Sequence, residues 1–404
     1  MTRKKLLLVT TKYPEGTNNL WLTNELAKSL AENGHEIFVC AISWLKTDPP
    51  NSFQQENEIN VLRVKLPGFL YIKSRLISAL KLFIGPIYVW HVLEKSIGTF
   101  APDIVICNTP AMTVQWIATK CKKKYNSKSI LILWDFFPFY LRDLRLLSNG
   151  LRFRILKWIE EKEYKKYDKL FYMTEGGKKF LLNNYDAIDE AICVQVPLWT
   201  KINKHDDLNG VDKKLMRKQL GLPDCEVMAV YGGAMSVVQK MENLIFLADN
   251  LKNKNDIIFI ILGSGTEVPR LKELVSELQL TNILFLGTVP RNEYRNYILA
   301  ADVGLVYLSE DLSVPSFPSK TIDYFSASIP VFACTDKNSD YQSILEITAK
   351  AGVWVEAGNT TNAANSFLRL TSDRQAMIAM GKAGHSYYKK TFDVDLVSEN
   401  FIIC

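Results

Sequence analysis

The chain has 404 residues, which is too many for one ordinary hydrophobic core and predicts two domains of similar size. Hydrophobic residues make up 48% of it and charged residues 23%, which excludes a disordered protein. The net charge of +6 is modest and no RNA- or DNA-binding signature accompanies it, so we expect no nucleic-acid partner.

Seven scattered cysteines form no Cys-x-x-Cys pair and no metal-ligand spacing, a pattern typical of a reducing compartment. The apolar run at 6–10 follows a basic start but is too short for a signal peptide, and no small-residue cleavage site follows it. We therefore predict that this run is a buried strand and that the protein is cytoplasmic.

Strand-like apolar runs alternate with helix-like segments along the first half of the chain. A strand at 4–10, a helix at 18–33 and a strand at 36–41 form a β-α-β unit. Its repetition predicts a parallel, doubly wound sheet. Further strands are predicted at 59–65, 104–107, 129–134 and 169–173.

The loop after the first predicted strand is a candidate ligand site, because ligands of such sheets bind at the carboxyl ends of the strands. It contains Gly16, Thr17 and Asn18. It has no Gly-x-Gly-x-x-Gly, so the dinucleotide fingerprint is absent.

Asp135 directly follows the predicted strand at 129–134, so we expect it at the same edge of the sheet. Between Trp134 and Phe136 its carboxylate would be desolvated, and it would accept hydrogen bonds from a sugar or polarise an acceptor hydroxyl. The alternative is that Asp135 caps a following helix, since aspartate is a preferred N-cap residue.

Two segments of the first half raise the question of membrane contact. Residues 76–93 are apolar but contain Lys81, Gly85 and Pro86, which disfavours a spanning helix. We expect this segment either to lie on a bilayer surface or to form buried helices. Residues 142–169 interleave basic with apolar side chains, which indicates bilayer or pyrophosphate binding or, alternatively, a solvated helix face.

A polar run at 200–221 predicts an interdomain linker, and a second β-α series follows it. The strands of this series are predicted at 226–231, 256–262, 282–286, 303–308 and 331–334. Glycines follow the first three of these strands: Gly232 and Gly233 after the first, Gly263 and Gly265 after the second, and Gly287 after the third. Such glycines let a ligand lie against the backbone at the edge of the sheet. We place the domains at 1–205 and 206–385, with a C-terminal helix at 386–404 that crosses back to the first.

The segment 313–331 is where we place the chemistry. It is a loop rich in Pro and Ser, followed by a short helix that begins near Ser319 and stops at Pro330. A helix start presents unpaired N–H groups, and Lys320 adds a cation where a helix prefers acidic residues. The pattern indicates an anion site, with Asp323 within reach of whatever carries the anion. The alternative is an ordinary Ser-capped helix with a solvated lysine.

Five stretches of the second half, including Tyr231-Gly-Gly-Ala-Met-Ser, Leu262-Gly-Ser-Gly-Thr-Glu and the segment 314–331, resemble the donor-binding half of the family 4 retaining glycosyltransferases. Within that family they resemble the WbuB-like subgroup of bacterial surface polysaccharide assembly, which makes O-antigen or capsule. In the first half, Trp134-Asp-Phe-Phe-Pro resembles the family's Asp-x-x-Pro turn. The resemblance implies the α/β GT-B architecture, two Rossmann-like, doubly wound domains that face a central cleft.

The resemblance also implies roles for individual residues. Lys320 and Asp135 would be catalytic, and the acceptor would lie against Gly16, Thr17, Asn18 and Asp135. The donor would be bound by Gly232, Gly233, Gln239, Lys240, Gly263, Gly265, Thr288, Val289, Ser319, Lys320, Thr321 and Asp323.

Two departures from the family pattern concern the donor. The family's Glu-x7-Glu motif would place a glutamate at Pro315, and its second glutamate is replaced by Asp323. The WbuB-like subgroup commonly lacks the first glutamate and carries Pro-Ser-Lys, so we interpret both departures as marks of the subgroup. The sequence identifies no residue in place of the missing glutamate.

The expected activity is retaining hexosyl or N-acetylhexosaminyl transfer from a nucleotide sugar, a UDP-sugar, to a lipid-pyrophosphate-linked glycan. We expect the protein on the inner face of the bacterial cytoplasmic membrane as a peripheral protein, with no cofactor and no metal, because lysines and the helix start would stabilise the leaving pyrophosphate. One alternative is a UDP-sugar epimerase, which needs a histidine base that no strand edge provides. Another is a non-catalytic glycan-binding protein, suggested by Pro315 and Asp323.

Overall fold

The computed structural model describes residues 3–16, 21–202, 212–254 and 256–402, with all their side chains except those of Arg75, Arg291 and Asn292. The contacts divide the chain into two units, Met1–Ile202 with Asp393–Cys404, and Asn203–Phe392. Each unit is an α/β domain with its own sheet.

The first unit is organised around an eight-stranded sheet. Its strands are β1 (Lys5–Thr10), β2 (Glu36–Ser43), β3 (Ser52–Glu56), β4 (Ile59–Lys65), β5 (Ile104–Asn108), β6 (Lys128–Leu133), β7 (Lys169–Tyr172) and β8 (Cys193–Gln195). Their order is β3-β4-β2-β1-β5-β6-β7-β8, and all neighbours are parallel except β3 with β4. The central strands are nearly continuous runs of Leu, Ile and Val because both faces of the sheet are covered.

All six strands predicted for this half are present, with ends shifted by at most two residues. The pattern did not predict β3, whose residues are largely exposed and polar, or β8, which has three residues. The first helix begins at Leu22, not at Asn18, and residues 17–20 lie outside the described part of the chain.

The helices of the first unit form a layer on each face of the sheet. They are α1 (Leu22–Glu32), α2 (Arg75–Ser96), α3 (Gln115–Tyr125), α4 (Phe139–Asp143), α5 (Leu151–Tyr164) and α6 (Glu175–Asn184). The connection β1-α1-β2 leads toward the β3 edge of the sheet, whereas β4-α2-β5, β5-α3-β6 and β6-α5-β7 lead toward the β8 edge. Because such crossovers are right-handed, α2, α3 and α5 lie together on the face opposite α1.

The second unit contains a six-stranded, all-parallel sheet. Its strands are β9 (Val227–Gly232), β10 (Ile257–Leu262), β11 (Ile283–Gly287), β12 (Val303–Tyr307), β13 (Val331–Thr335) and β14 (Gly352–Glu356). The order is β11-β10-β9-β12-β13-β14, so the chain reverses direction between β9 and β12. Ligands of open parallel sheets bind at such a switch point.

The helices that cover this sheet are α7 (Lys213–Gln219), α8 (Glu242–Asn250), α9 (Val268–Glu277), α10 (Arg291–Ala300), α11 (Lys320–Ser326), α12 (Thr360–Ser372) and α13 (Arg374–Thr391). The prediction of a linker at 200–221 is wrong for residues 213–219, which form α7. Residues 203–211 are outside the described ranges. Arg217 belongs to the polar run that predicted the linker, but its side chain is buried. Burial is possible because its guanidinium pairs with Asp302 at 2.5 Å and donates to the carbonyl of Ala300 at 2.9 Å.

The C-terminal segment returns to the first unit later than predicted. α13 continues to Thr391 within the second unit, and the first unit takes up the chain at Asp393, where α14 (Val394–Ser398) follows. The Asp-x-Asp sequence at 393–395 caps this helix, since the Asp393 carboxylate accepts from the N–H of Asp395 at 3.1 Å. The Asp395 carboxylate pairs with Lys201 at 3.0 Å.

Replacing Phe401 with alanine tests the docking of this segment. Phe401 is fully buried, with its ring 5.0 Å from that of Phe171 and 5.7 Å from that of Trp199. Urea denaturation should show a loss of about 3–5 kcal/mol in the free energy of unfolding. Leu396→Ala, at a side chain that is 53% exposed, should cost less than about 1 kcal/mol. Equal, small effects of the two substitutions would contradict the docking.

Candidate functional site

Lys320 lies at the switch point of the second sheet. It is the first residue of α11, which follows β12, and its side chain reaches the end of β9. Its ammonium is 4.0 Å from the centroid of the Tyr231 ring. A Cβ atom added to Gly233 would lie 3.4 Å from Cε of Lys320. The ammonium is therefore bordered by an aromatic face and by glycine backbone.

In the described part of the chain, no counter-ion contacts the ammonium of Lys320. Over the described ranges, the structure shows no hydrogen bond or ion pair from its ammonium, and the side chain is half-buried. Desolvation lowers the pKa of Lys320 to about 7, and the nearby charge of Asp323 opposes this shift only in part. The Tyr231 ring face gives the ammonium partial compensation. An external anion would supply the missing partner.

The glycines after β9 and β10 bring two loops into backbone contact. A Cβ on Gly263 would lie 1.9 Å from the carbonyl oxygen of Gly233, and a Cβ on Gly265 would lie 1.9 Å from that of Met235. Any side chain at either position would separate the loops. The glycines are thus required by the packing of the loops that border Lys320.

Gly232 is buried, whereas Gly233 is exposed. The hydroxyl of Tyr294 occupies the space a Cβ of Gly232 would need, at 2.1 Å. The N–H of Gly232 donates to the Tyr324 hydroxyl at 3.2 Å, and that hydroxyl donates to the carbonyl of Leu305 at 3.0 Å. Gly232 therefore anchors the end of β9, and Gly233 is the glycine of the pair that is accessible to solvent.

Gln239 and Lys240, which the resemblance places near the donor phosphates, both have protein partners. Oε1 of Gln239 accepts from the N–H of Ser236 at 3.0 Å and from its hydroxyl at 2.7 Å. Lys240 forms an ion pair with Glu310. Oε2 of Glu310 is buried without a hydrogen-bond partner among the described residues. An anion can gain Lys240 only by competing with Glu310.

The start of α11 offers fewer free donors than the sequence predicts. The N–H groups of Thr321 and Ile322 donate at 3.0 Å to the carbonyls of Pro318 and Ser319. Ser319 is exposed, its side chain makes no capping hydrogen bond, and the helix has only seven residues. The charge of Lys320 is therefore the main attraction for an anion here, with a smaller contribution from the short helix.

The remaining predicted donor residues differ in exposure. The Thr321 hydroxyl is buried and hydrogen-bonded to the Tyr341 hydroxyl at 2.6 Å. Asp323 is exposed one turn into α11, and Thr288 is exposed after β11 with Val289 half-buried beside it. Asp323 and Thr288 can be reached from solvent, whereas the hydroxyl of Thr321 serves the core.

In the first unit, Asp135 lies just beyond β6. Its N–H donates to the Thr109 hydroxyl oxygen at 3.3 Å, which fixes it beside the end of β5. The side chain is exposed, yet desolvation by surrounding protein raises the pKa of its carboxyl. α4 begins at Phe139 with Pro138 as its N-cap, so Asp135 does not cap that helix.

Gly16 is not in the same cavity as Asp135. It lines a cavity of about 410 Å³ with Tyr13, Asn24, Gln54 and other residues, and Asp135 is absent from that lining. The other two predicted acceptor residues, Thr17 and Asn18, lie outside the described part of the chain.

The sequence did not identify the buried group behind this edge. Glu160 on α5 is fully buried and accepts from the N–H groups of Ala111 at 2.8 Å and Met112 at 3.3 Å. Burial raises the pKa of its carboxyl to about 8. The signal that would have found it is a glutamate in the apolar stripe of α5, between Phe153 and Tyr164. The sequence also did not single out Tyr231 and Glu310 of the second unit as residues that contact Lys320 and Lys240.

Within the described ranges, no group of three or more His, Cys, Asp or Glu side chains is placed to hold a metal ion.

The two doubly wound domains define the GT-B class of fold. Sucrose-phosphate synthase from Thermosynechococcus elongatus matches with a TM-score of 0.76 at 17% identity, over 98% of this chain and 97% of that one. Anabaena HepE, solved in complex with UDP-glucose, matches with a TM-score of 0.71 at 14% identity, over 99% and 98%. The predicted fold class is confirmed.

At the level of sequence, a profile of the family described as glycosyl transferases group 1 matches residues 212–387. WcaI of Escherichia coli (strain K12), named as a colanic acid biosynthesis glycosyl transferase, is 23% identical over 222 residues. That match covers 54% of this chain and 53% of WcaI, about half of each. The match to that family therefore lies within the second unit.

Gly265→Ala tests the contact between the two glycine loops. The added Cβ would overlap the carbonyl of Met235, so thermal or urea unfolding should show a loss of about 1–3 kcal/mol. Gly68→Ala is the control, because a Cβ there meets nothing within 4 Å. A Gly265→Ala protein as stable as the wild type would contradict the loop packing described above.

Proposed function

We propose that the protein is a retaining glycosyltransferase that uses a UDP-sugar. The proposal rests on the half-buried ammonium of Lys320, which has no hydrogen-bond or ion-pair partner among the described residues. It lies at the switch point of the sheet in the region that matches the glycosyl transferases group 1 family. A nucleotide diphosphate is the anion such a position suits, since Gly233 lets a phosphate approach the backbone next to the cation. The complex of HepE with UDP-glucose is the reason for proposing a uridine nucleotide.

The proposed reaction breaks the bond between the anomeric carbon of the sugar and the oxygen of the pyrophosphate. The acceptor hydroxyl oxygen forms the new bond on the same face, and its proton passes to the departing phosphate. Negative charge grows on that phosphate as the bond breaks, and the Lys320 ammonium stabilises it without moving. We propose that the reaction needs no metal because Lys320, and Lys240 once released from Glu310, supply the positive charge.

The proposed acceptor is a lipid-pyrophosphate-linked glycan of a bacterial surface polysaccharide such as O-antigen, with a hexosyl or N-acetylhexosaminyl group transferred. Two observations support this: the naming of WcaI for colanic acid synthesis, and the Pro-Ser-Lys segment at 318–320 with Pro315 in place of a glutamate, which favours the WbuB-like subgroup. Asp135 would hold the acceptor hydroxyl by accepting its hydrogen bond. A lipid-linked acceptor would place the protein on the inner face of the cytoplasmic membrane.

Lys320 makes UDP binding depend on pH. With a pKa of about 7 in the free protein, its amine is mostly neutral at pH 8.5, and a bound diphosphate raises that pKa by favouring the charged form. Affinity should therefore be highest below pH 7 and should weaken by up to about tenfold per pH unit as the pH rises above it. Isothermal titration at pH 8.5, in two buffers of different ionisation enthalpy, should show uptake of about one proton per UDP.

The two lysines provide matched variants for this titration. Lys320→Met should bind UDP more weakly and without the proton uptake, whereas Lys240→Met, which removes the lysine paired with Glu310, should keep the uptake. Unchanged proton uptake in Lys320→Met would refute the role of Lys320. A wild-type protein with no UDP affinity would instead indicate a non-catalytic protein.

A further inference from the structure

The outer face of α2 is apolar and uncovered. Leu76, Leu80, Phe83, Ile84 and Ile87 follow one another at helical spacing, and each is between 37% and 78% exposed. Large apolar side chains that line one exposed helix face mark a surface for an apolar partner.

The inner face of α2 is committed to the protein. Lys81 is buried, and its ammonium donates to the carbonyl of Trp44 and lies 4.4 Å from the Tyr71 ring centroid. Gly85 packs against Leu66 and Trp44. Among the described residues, the segment Leu76–Ser96 is the one helix long and apolar enough to cross a membrane by length and composition, and 33% of its most apolar window is buried in the fold. These inner contacts favour a helix that lies on a surface over one that spans it.

A second apolar row lies on α5. Leu151, Ile155 and Trp158 occupy successive turns of this helix and are 74%, 47% and 55% exposed. The ammonium of Lys162 is 3.6 Å from the Trp158 ring centroid. Tryptophan beside lysine at the rim of an apolar face is typical of a helix at a membrane interface.

The charges around these rows are positive. The sequence contains no acidic residue between Glu58 and Glu94, nor between Asp143 and Glu160. Arg152 and Arg154 are exposed on α5 among the apolar residues. Apolar rows whose own stretches of sequence carry basic and no acidic residues complement a bilayer with anionic headgroups, and each basic side chain near such a surface adds to binding.

The two rows belong to one layer of the first unit. The right-handed crossovers place α2, α3 and α5 on the same face of the sheet, and both α2 and α5 pack against the turn Ala111–Thr113. Helix α3 contacts α2. Its Trp116 is 41% exposed, and the ammonium of Lys120 lies 5.0 Å from the centroid of the Trp116 ring. The exposed apolar residues of the three helices are therefore neighbours on one outer face.

We propose that this outer face of α2, α3 and α5 docks the first unit onto a bilayer that contains anionic lipids. The proposal deepens the proposed function by naming the surface that would meet a lipid-linked acceptor. The docking itself needs neither a donor nor a sugar transfer, so it can be tested separately.

Vesicle flotation of the full chain tests the docking. We expect the wild type to float with vesicles of phosphatidylcholine and phosphatidylglycerol, and to bind vesicles of phosphatidylcholine alone about tenfold more weakly. High salt should reduce binding to the anionic vesicles because it screens the basic side chains. A wild-type protein that floats with neither kind of vesicle would overturn the proposal.

Paired substitutions test the single surface. Phe83→Ser with Ile87→Ser on α2, and Ile155→Ser with Trp158→Ser on α5, should each weaken flotation by about tenfold or more. Ile347→Ser is the control, because this exposed isoleucine lies in the second unit and should not affect flotation. If either pair left flotation unchanged, the proposal of one joint surface would be wrong.

UDP titration and light scattering on the same variants separate the remaining explanations. All variants should keep the UDP affinity and the thermal unfolding transition of the wild type, and this result would show that they are folded. Loss of flotation with UDP binding intact supports docking, whereas a wild type that floats but does not bind UDP would contradict the proposed function alone. A dimer that the same substitutions dissociate, without flotation, would assign the face to self-association and overturn the docking.

Discussion

The central constraint on the carboxyl edge of the second sheet is the desolvation of the Lys320 ammonium, which has no counter-ion in contact with it among the described residues. Desolvation lowers the pKa of the amine to about 7, so the free protein holds a group near the balance between its charged and neutral forms. A diphosphate shifts that balance toward the charged form, and growth of negative charge on a leaving phosphate shifts it further. Rigid surroundings are needed for this effect, because a mobile lysine would return to water.

The loops around Lys320 provide that rigidity through backbone contacts. Gly263 and Gly265 let the loops after β9 and β10 touch, and Tyr324 ties the end of β9 to β12. The first unit uses side chains for the same purpose, since Glu160 accepts the N–H groups of the turn after β5 and Tyr185 donates to the carbonyl of Phe137 at 2.8 Å. Each unit thus presents one fixed edge.

Local sequence patterns predicted most of the fold because buried parallel strands are continuous apolar runs, and Lys320 was identified because a cation is unusual at a helix start. What the sequence did not reveal has a common physical cause, which is a contact with a residue distant in the chain. Arg217 lies in the predicted linker but is buried because it pairs with Asp302. Lys240 and Gly232 remain predicted donor contacts, and the sequence did not show that Glu310 pairs with the first or that Tyr294 covers the second. Only tertiary structure brings such pairs together.

The most direct test of the account is the rate of UDP release from a panel of UDP-sugars by the wild type and by Lys320→Met. We predict that the wild type releases UDP from at least one donor. We also predict that the substitution lowers kcat by about 10²–10³ with a smaller change in KM, because the charge acts mainly on the leaving group. A Lys320→Met enzyme that turns over at the wild-type rate, or a wild type that releases UDP from no donor, would contradict it.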